Sequence, residues 1–161
     1  MSCQDNNSTQ NDEATTTQEA VPVAETVVQP VNSFDILPLF PQEKTKVLFE
    51  KCDYVSMIFN TYSGQSINLS DPDKAKGIMA NLLTLRKPEN PICRNAFAYI
   101  SFSGQGKMLA EADIFFESGC TYLVFRENNQ YSSICQMGDK GIRTLNSISK
   151  DLYKRATQNK Q

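Results

Sequence analysis

The chain has 161 residues, with 16 basic and 18 acidic side chains, 40% hydrophobic residues, five cysteines and no histidine. The missing imidazole excludes Ser-His-Asp and Cys-His catalysis within the chain, and removes the commonest metal ligand and the usual pH switch. No run of about eighteen apolar residues is present to read as a membrane-spanning helix, and no apolar stretch marks a complete signal peptide.

Charge is unevenly placed. Residues 1–33 hold Asp5, Asp12, Glu13, Glu19 and Glu25, no Lys or Arg and no aromatic side chain. Such a polar segment cannot bury enough apolar surface to offset the entropy of ordering it, so it reads as a disordered acidic tether. Within it VPVAETVVQPV is punctuated by Pro22 and Pro30 and reads as a spacer. Residues 34–157 read as one α+β domain and 158–161 as a disordered end. The chain beyond the tether keeps 16 basic and 13 acidic groups, an excess too small to point to nucleic acid.

The domain opens with FDILPLFP. Phe34, Ile36, Leu37, Leu39 and Phe40 are expected to pack against it, while two prolines keep them out of a helix. Residues 44–60 are ambiguous: Leu48, Cys52, Val55 and Phe59 have helical spacing, but Tyr54, Val55, Ile58 and Phe59 favour a strand at 53–60. A turn at 61–64 and a short strand at 66–69 complete a hairpin. Asp71 as cap, Pro72 at the first position and Asp73 in the first turn then start a helix over 72–85, with Ile78, Met79, Leu82, Leu83 and Leu85 on its apolar face.

From residue 94 the period becomes two. Strands are expected at 95–103, 107–117, 120–127 and 130–137, joined at Gly104-Gln105-Gly106, Ser118-Gly119 and Asn128-Asn129. In the strand at 107–117, Met108, Ala110, Ala112, Ile114 and Phe116 are assigned to one face. A last helix begins at Asp139, with Ile142, Leu145, Ile148 and Leu152 at near-helical spacing. The fold expected is an antiparallel meander of about four strands, plus an N-terminal hairpin, packed against two helices. No internal repeat is visible.

Several residues are candidates for function. Cys3 is in a position to carry a lipid, the polar chain after it acting as a spacer of about 30 Å reach; the alternative is an incidental cysteine. Cys52, Cys93, Cys120 and Cys135 form an even set open to disulfides in an exported protein, or to burial as small apolar side chains. An ideal hairpin puts Tyr122 opposite Cys135, making Cys120 and Cys135 diagonal neighbours with poor bridging geometry. The spacings match no zinc site. Glu111, Asp113 and Glu117 share a face, either as paired acids or as the solvated side of a half-buried sheet. Tyr99, Tyr122 and Tyr131 are candidates for an aromatic binding surface. Lys140, Arg143, Lys150, Lys154 and Arg155 make the last helix basic, which suits a solvated face or an anionic partner. Gly104-Gln105-Gly106 lacks the helix and lysine of a phosphate loop.

Cys3-Gln4-Asp5, the run Gly119-Cys120-Thr121-Tyr122-Leu123-Val124-Phe125 and Gly141-Ile142 together resemble small lipoproteins of Bacteroidetes. In that pattern a polar linker follows a lipidated cysteine and leads into a compact domain. The resemblance implies a lipid anchor on Cys3 and a cell-envelope address, on the periplasmic or outer surface, with any signal already trimmed. The function expected is therefore a non-enzymatic binding or interaction module for an unidentified protein or small ligand, with no catalytic residue, metal or cofactor. Two alternatives are carried: a cytoplasmic thiol enzyme or redox protein using Cys120 or Cys135, and an inhibitor presenting a hairpin loop to a partner protein.

Overall fold

The computed structural model describes residues 32–62 and 64–158. Cys3 and nearly all of the expected tether lie outside the described residues. The elements run β1 (Asn32–Ser33), α1 (Gln42–Lys51), β2 (Tyr54–Phe59), β3 (Ser66–Leu69), α2 (Pro72–Leu82), β4 (Ile92–Cys93), β5 (Ala98–Gly104), β6 (Lys107–Glu117), β7 (Cys120–Glu127), β8 (Gln130–Gln136) and α3 (Asp139–Gln158). Six strands form one antiparallel sheet in the order β3-β2-β5-β6-β7-β8, while β1 and β4 pair separately. The fold class is α+β, an antiparallel sheet packed against helices, as the patterning predicts.

Local chemistry explains most boundaries. Asp71 accepts hydrogen bonds from the backbone N–H groups of Asp73 and Lys74, at 2.9 and 3.3 Å, and so caps α2 with Pro72 at its first position. Asn128 and Asn129 both adopt positive φ, 52° and 63°, the left-handed pair that a two-residue hairpin turn needs. Gly141 lets α3 approach α2: a Cβ there would lie 2.5 Å from the Asn81 carbonyl oxygen.

One face of the sheet holds the main core. Val55, Met57, Phe59, Ile100, Phe102, Ala112, Ile114, Leu123 and Phe125 pack there with Leu48 of α1, Ile78, Met79 and Leu82 of α2, and Leu145 and Leu152 of α3. The helix α1 is a departure from expectation. Leu48 is its only buried residue, so no apolar stripe announces it. The helix ends at Lys51 and β2 begins at Tyr54, so the ambiguous stretch holds both structures in succession.

Two bulges alter the ideal alternation. Between Phe102 and Ser103 the β5–β6 register shifts, and Met108 falls opposite Ser103 instead of joining Ala110 and Ala112. Met108 is accordingly exposed. Between Phe125 and Arg126 the β7–β8 register shifts too, so Cys135 pairs with Leu123, and Tyr122 with Gln136. Cys135 and Cys120 therefore lie on opposite faces, not diagonally on one. Helix α3 also continues to Gln158, which patterning placed in the C-terminal tail.

Candidate functional site

The second face of the sheet is divided. One end is covered by residues 34–40 and by the loop carrying β4; the remainder carries polar side chains. Phe34 anchors the cover. Its ring lies 5.2 Å from Phe115, 6.1 Å from Tyr122 and 5.2 Å from Tyr131, between ring centroids. Phe34, Phe115 and Tyr122 form a second buried cluster with Cys93, Cys120, Val124 and Ile134, and Tyr131 stands at its exposed margin. The strap then runs along the edge of β8: the Ile134 N–H donates to the Pro38 carbonyl at 2.9 Å, and the Phe40 N–H donates to the Ile134 carbonyl at 2.9 Å. Phe40 stacks on Phe125 with centroids 3.6 Å apart. Ile36, expected to be buried with its neighbours, instead points outward at 92% exposure. The strap turns there, and the Leu37 N–H bonds back to the Phe34 carbonyl at 3.0 Å.

Of the four domain cysteines, Cys93 and Cys120 form a disulfide, their Cα atoms 6.2 Å apart. This bond ties β4, and through it β1, to the start of β7. Cys52 and Cys135 are buried free thiols. Burial pushes the Cys135 thiol up to about 12, and burial also raises Cys52. Neither matches the lowered pKa that makes a thiol reactive.

The uncovered part of the face is built by register. Asn68, Ser56, Ser101, Glu111, Arg126 and Tyr131 stand side by side across the six strands. The Tyr54 and Ser56 hydroxyls both donate to the Asn68 side-chain oxygen, at 3.0 and 2.7 Å. Tyr99 donates to Glu111; burial first, and then this carboxylate, pushes its phenol up to about 12. Asp113 is only 4% exposed and does not merely solvate the sheet. It accepts from Arg126 and, at 2.5 Å, from the Tyr131 hydroxyl. Burial opposes the Arg126 charge, but Asp113 and Tyr131 outweigh it and hold the guanidinium above its usual pKa. Arg126 also lies over the Tyr131 ring, 5.2 Å from its centroid. Glu117, on the same strand face, is exposed at the strand end.

The three tyrosines thus do not form one exposed surface. Tyr99 and Tyr131 line the polar area, whereas Tyr122 is 1% exposed beneath the strap. Its hydroxyl has no hydrogen-bond partner among the described residues. Burial raises its pKa, with the charges of Asp35 and Glu117 adding to the effect. The basic residues Lys140, Arg143, Lys150, Lys154 and Arg155 are all exposed on α3.

A cavity of about 240 Å³ lies between α1 and the sheet, lined by Phe40, Val47, Leu48, Leu109 and Phe125. The Lys44–Glu127 ion pair stands at its rim. Sequence patterning offers no sign of it, because its wall is the helix that patterning leaves undecided. Among the described residues, no group of His, Cys, Asp and Glu could hold a metal ion. No described helix is long and apolar enough to cross a membrane. No family model, curated protein or solved structure matches this chain.

Proposed function

We propose that this chain is an exported, lipid-anchored cell-envelope protein, whose α+β domain binds a partner through the polar face of its sheet without doing chemistry. The observation that carries the reading is the Cys93–Cys120 disulfide. Such bonds persist in oxidising compartments and are rare where thiols are kept reduced. Its place in the fold fits a tether. The bond secures β4, and β4 pairs with Asn32 and Ser33, the last two residues of the expected tether, which form a strand. Tension arriving through the tail would therefore meet a cross-linked anchor before it reached the sheet.

Lipid on Cys3 would supply the membrane attachment. Each buried CH₂ group contributes about 0.8 kcal/mol, so two or three acyl chains hold firmly. The polar face beside the strap offers hydroxyls, an amide, a carboxylate and a guanidinium in one row. That inventory suits a polar ligand or protein surface. The thiol-enzyme alternative draws less support, since Cys120 is bonded and burial raises the Cys135 thiol. The test is fractionation of the native host expressing the wild-type chain or Cys3→Ser. Recovery of wild type with membranes and of Cys3→Ser in the soluble fraction is expected. Equal partition of the two would overturn the anchor.

A further inference from the structure

We infer that the open edge of the sheet, strand β3, pairs two copies of this chain about a two-fold axis passing between their Ile67 residues. The two ends of the sheet are treated differently. At β8 the edge is occupied: Pro38 and Phe40 bond to Ile134, and the Gln136 N–H donates to the Arg86 carbonyl at 2.8 Å. At the other end, β3 pairs with β2 and with no other strand among the described residues.

Register fixes which groups are left over. The Phe59 N–H donates to the Gln65 carbonyl at 2.9 Å, so in the alternation of an antiparallel ladder Gln65, Ile67 and Leu69 turn their backbone groups toward β2. Ser66 and Asn68 turn theirs outward. An exposed row of this kind is a template for another strand unless lysine, proline, a bulge or the shortness of the strand blunts it, and β3 has four residues. Residues 65–70 read QSINLS, with no charge and no proline, and the β2–β3 register is regular.

The edge is self-complementary. In an antiparallel pair with Ile67 opposite Ile67, Ser66 of each copy exchanges both backbone bonds with Asn68 of the other. Ile67 then occupies the close, non-hydrogen-bonded position, with Cα atoms about 4.5 Å apart. Its side chain is half-buried on the core face, at the rim of the main core, and the second Ile67 would cover the exposed half. The neutral strand brings no like charges together across the axis, which would oppose such a pairing. The product is one continuous sheet of twice the six strands, with isologous contacts that close without propagating.

The test uses the full chain carrying Cys3→Ser, so that the tail thiol cannot cross-link. Under mild oxidation, Ile67→Cys should form disulfide dimers about tenfold faster than Leu69→Cys, as the close pairing of Ile67 implies. A mixture of Gln65→Cys and Leu69→Cys should cross-link faster than either does alone; this arm stands even where Ile67→Cys folds poorly. By sedimentation the Cys3→Ser chain should approach twice the monomer mass as concentration rises. Ser66→Pro, which removes an outward donor, should stay monomeric with an unchanged far-UV spectrum. A monomer at every concentration with no selective cross-link would overturn the proposal, showing that the shortness of β3 protects the edge. Cross-linking at Ile67 and Leu69 at equal rates would also overturn it, since the register would not exist.

Discussion

The two faces of the sheet are closed to different extents and by different means. On the core face, α1, α2 and α3 cover side chains that alternate along five strands. On the other face, a seven-residue strap and a loop cover only one end, and they are held by one aromatic plug and one covalent bond. The first closure is spread over many contacts, so removal of one leaves the rest. The second is concentrated in Phe34 and the disulfide. A small domain can therefore carry a well-packed core and a locally fragile cover on the same strands.

The largest effect expected is alkaline unfolding, which strikes both faces at once. Burial raises the thiols of Cys52 and Cys135 on the core face and the phenols of Tyr99, Tyr122 and Tyr131 on the other. Each is neutral when protonated, and each has a folded pKa above its unfolded value. The stabilisation is whole below the unfolded values of 9.0 for thiol and 10.0 for phenol, and is lost as pH rises toward about 12. Denaturant midpoints should therefore hold up to pH 9 and fall steeply from there to pH 12.

Next in size is Phe34→Ala. Removing a buried phenylalanine costs about 3–5 kcal/mol, and here it also opens Phe115 and Tyr122 to water. Equilibrium urea unfolding should show that loss, with proteolytic cleavage appearing first near residue 34 and not in the meander. The paired Cys93→Ala and Cys120→Ala variant should lose about 3.5 kcal/mol, from the chain entropy of a loop of 27 residues. Thermal unfolding with and without reductant checks this: reductant should lower the midpoint of wild type and leave the paired variant unchanged. The smallest effect belongs to the helix side. Asp71→Ala removes one cap and should cost about 1 kcal/mol, read as a small fall in urea midpoint with the strap undisturbed.

The core face was legible because its signals are local or periodic. Asp71-Pro72 marks the start of α2, Asn128-Asn129 marks a turn, and alternation marks β6 and β7, whose bounds match the expectation residue for residue. What escaped was non-periodic. Helix α1 buries Leu48 alone and so has no stripe. The bulges beside Ser103 and Arg126 add one residue to a strand, which reverses the faces of Met108 and Cys135 without altering composition. The Cys93–Cys120 pairing depends on β4, a two-residue strand in a loop, and nothing in the cysteine spacing separates it from the other possible pairings. Likewise Asp113 reads as one solvated acid among several until the register places Arg126 and Tyr131 beside it.

The measurement that tests the account most directly is the intact mass of the protein from its native host's membrane fraction, with and without reductive alkylation. The account predicts a chain beginning at Cys3, heavier by its acyl groups and lighter by the two hydrogens of one disulfide, with Cys52 and Cys135 the only thiols alkylated in denaturant before reduction. An unmodified chain recovered from the cytosol, with Cys93 and Cys120 alkylated without reduction, would contradict both the anchor and the clasp.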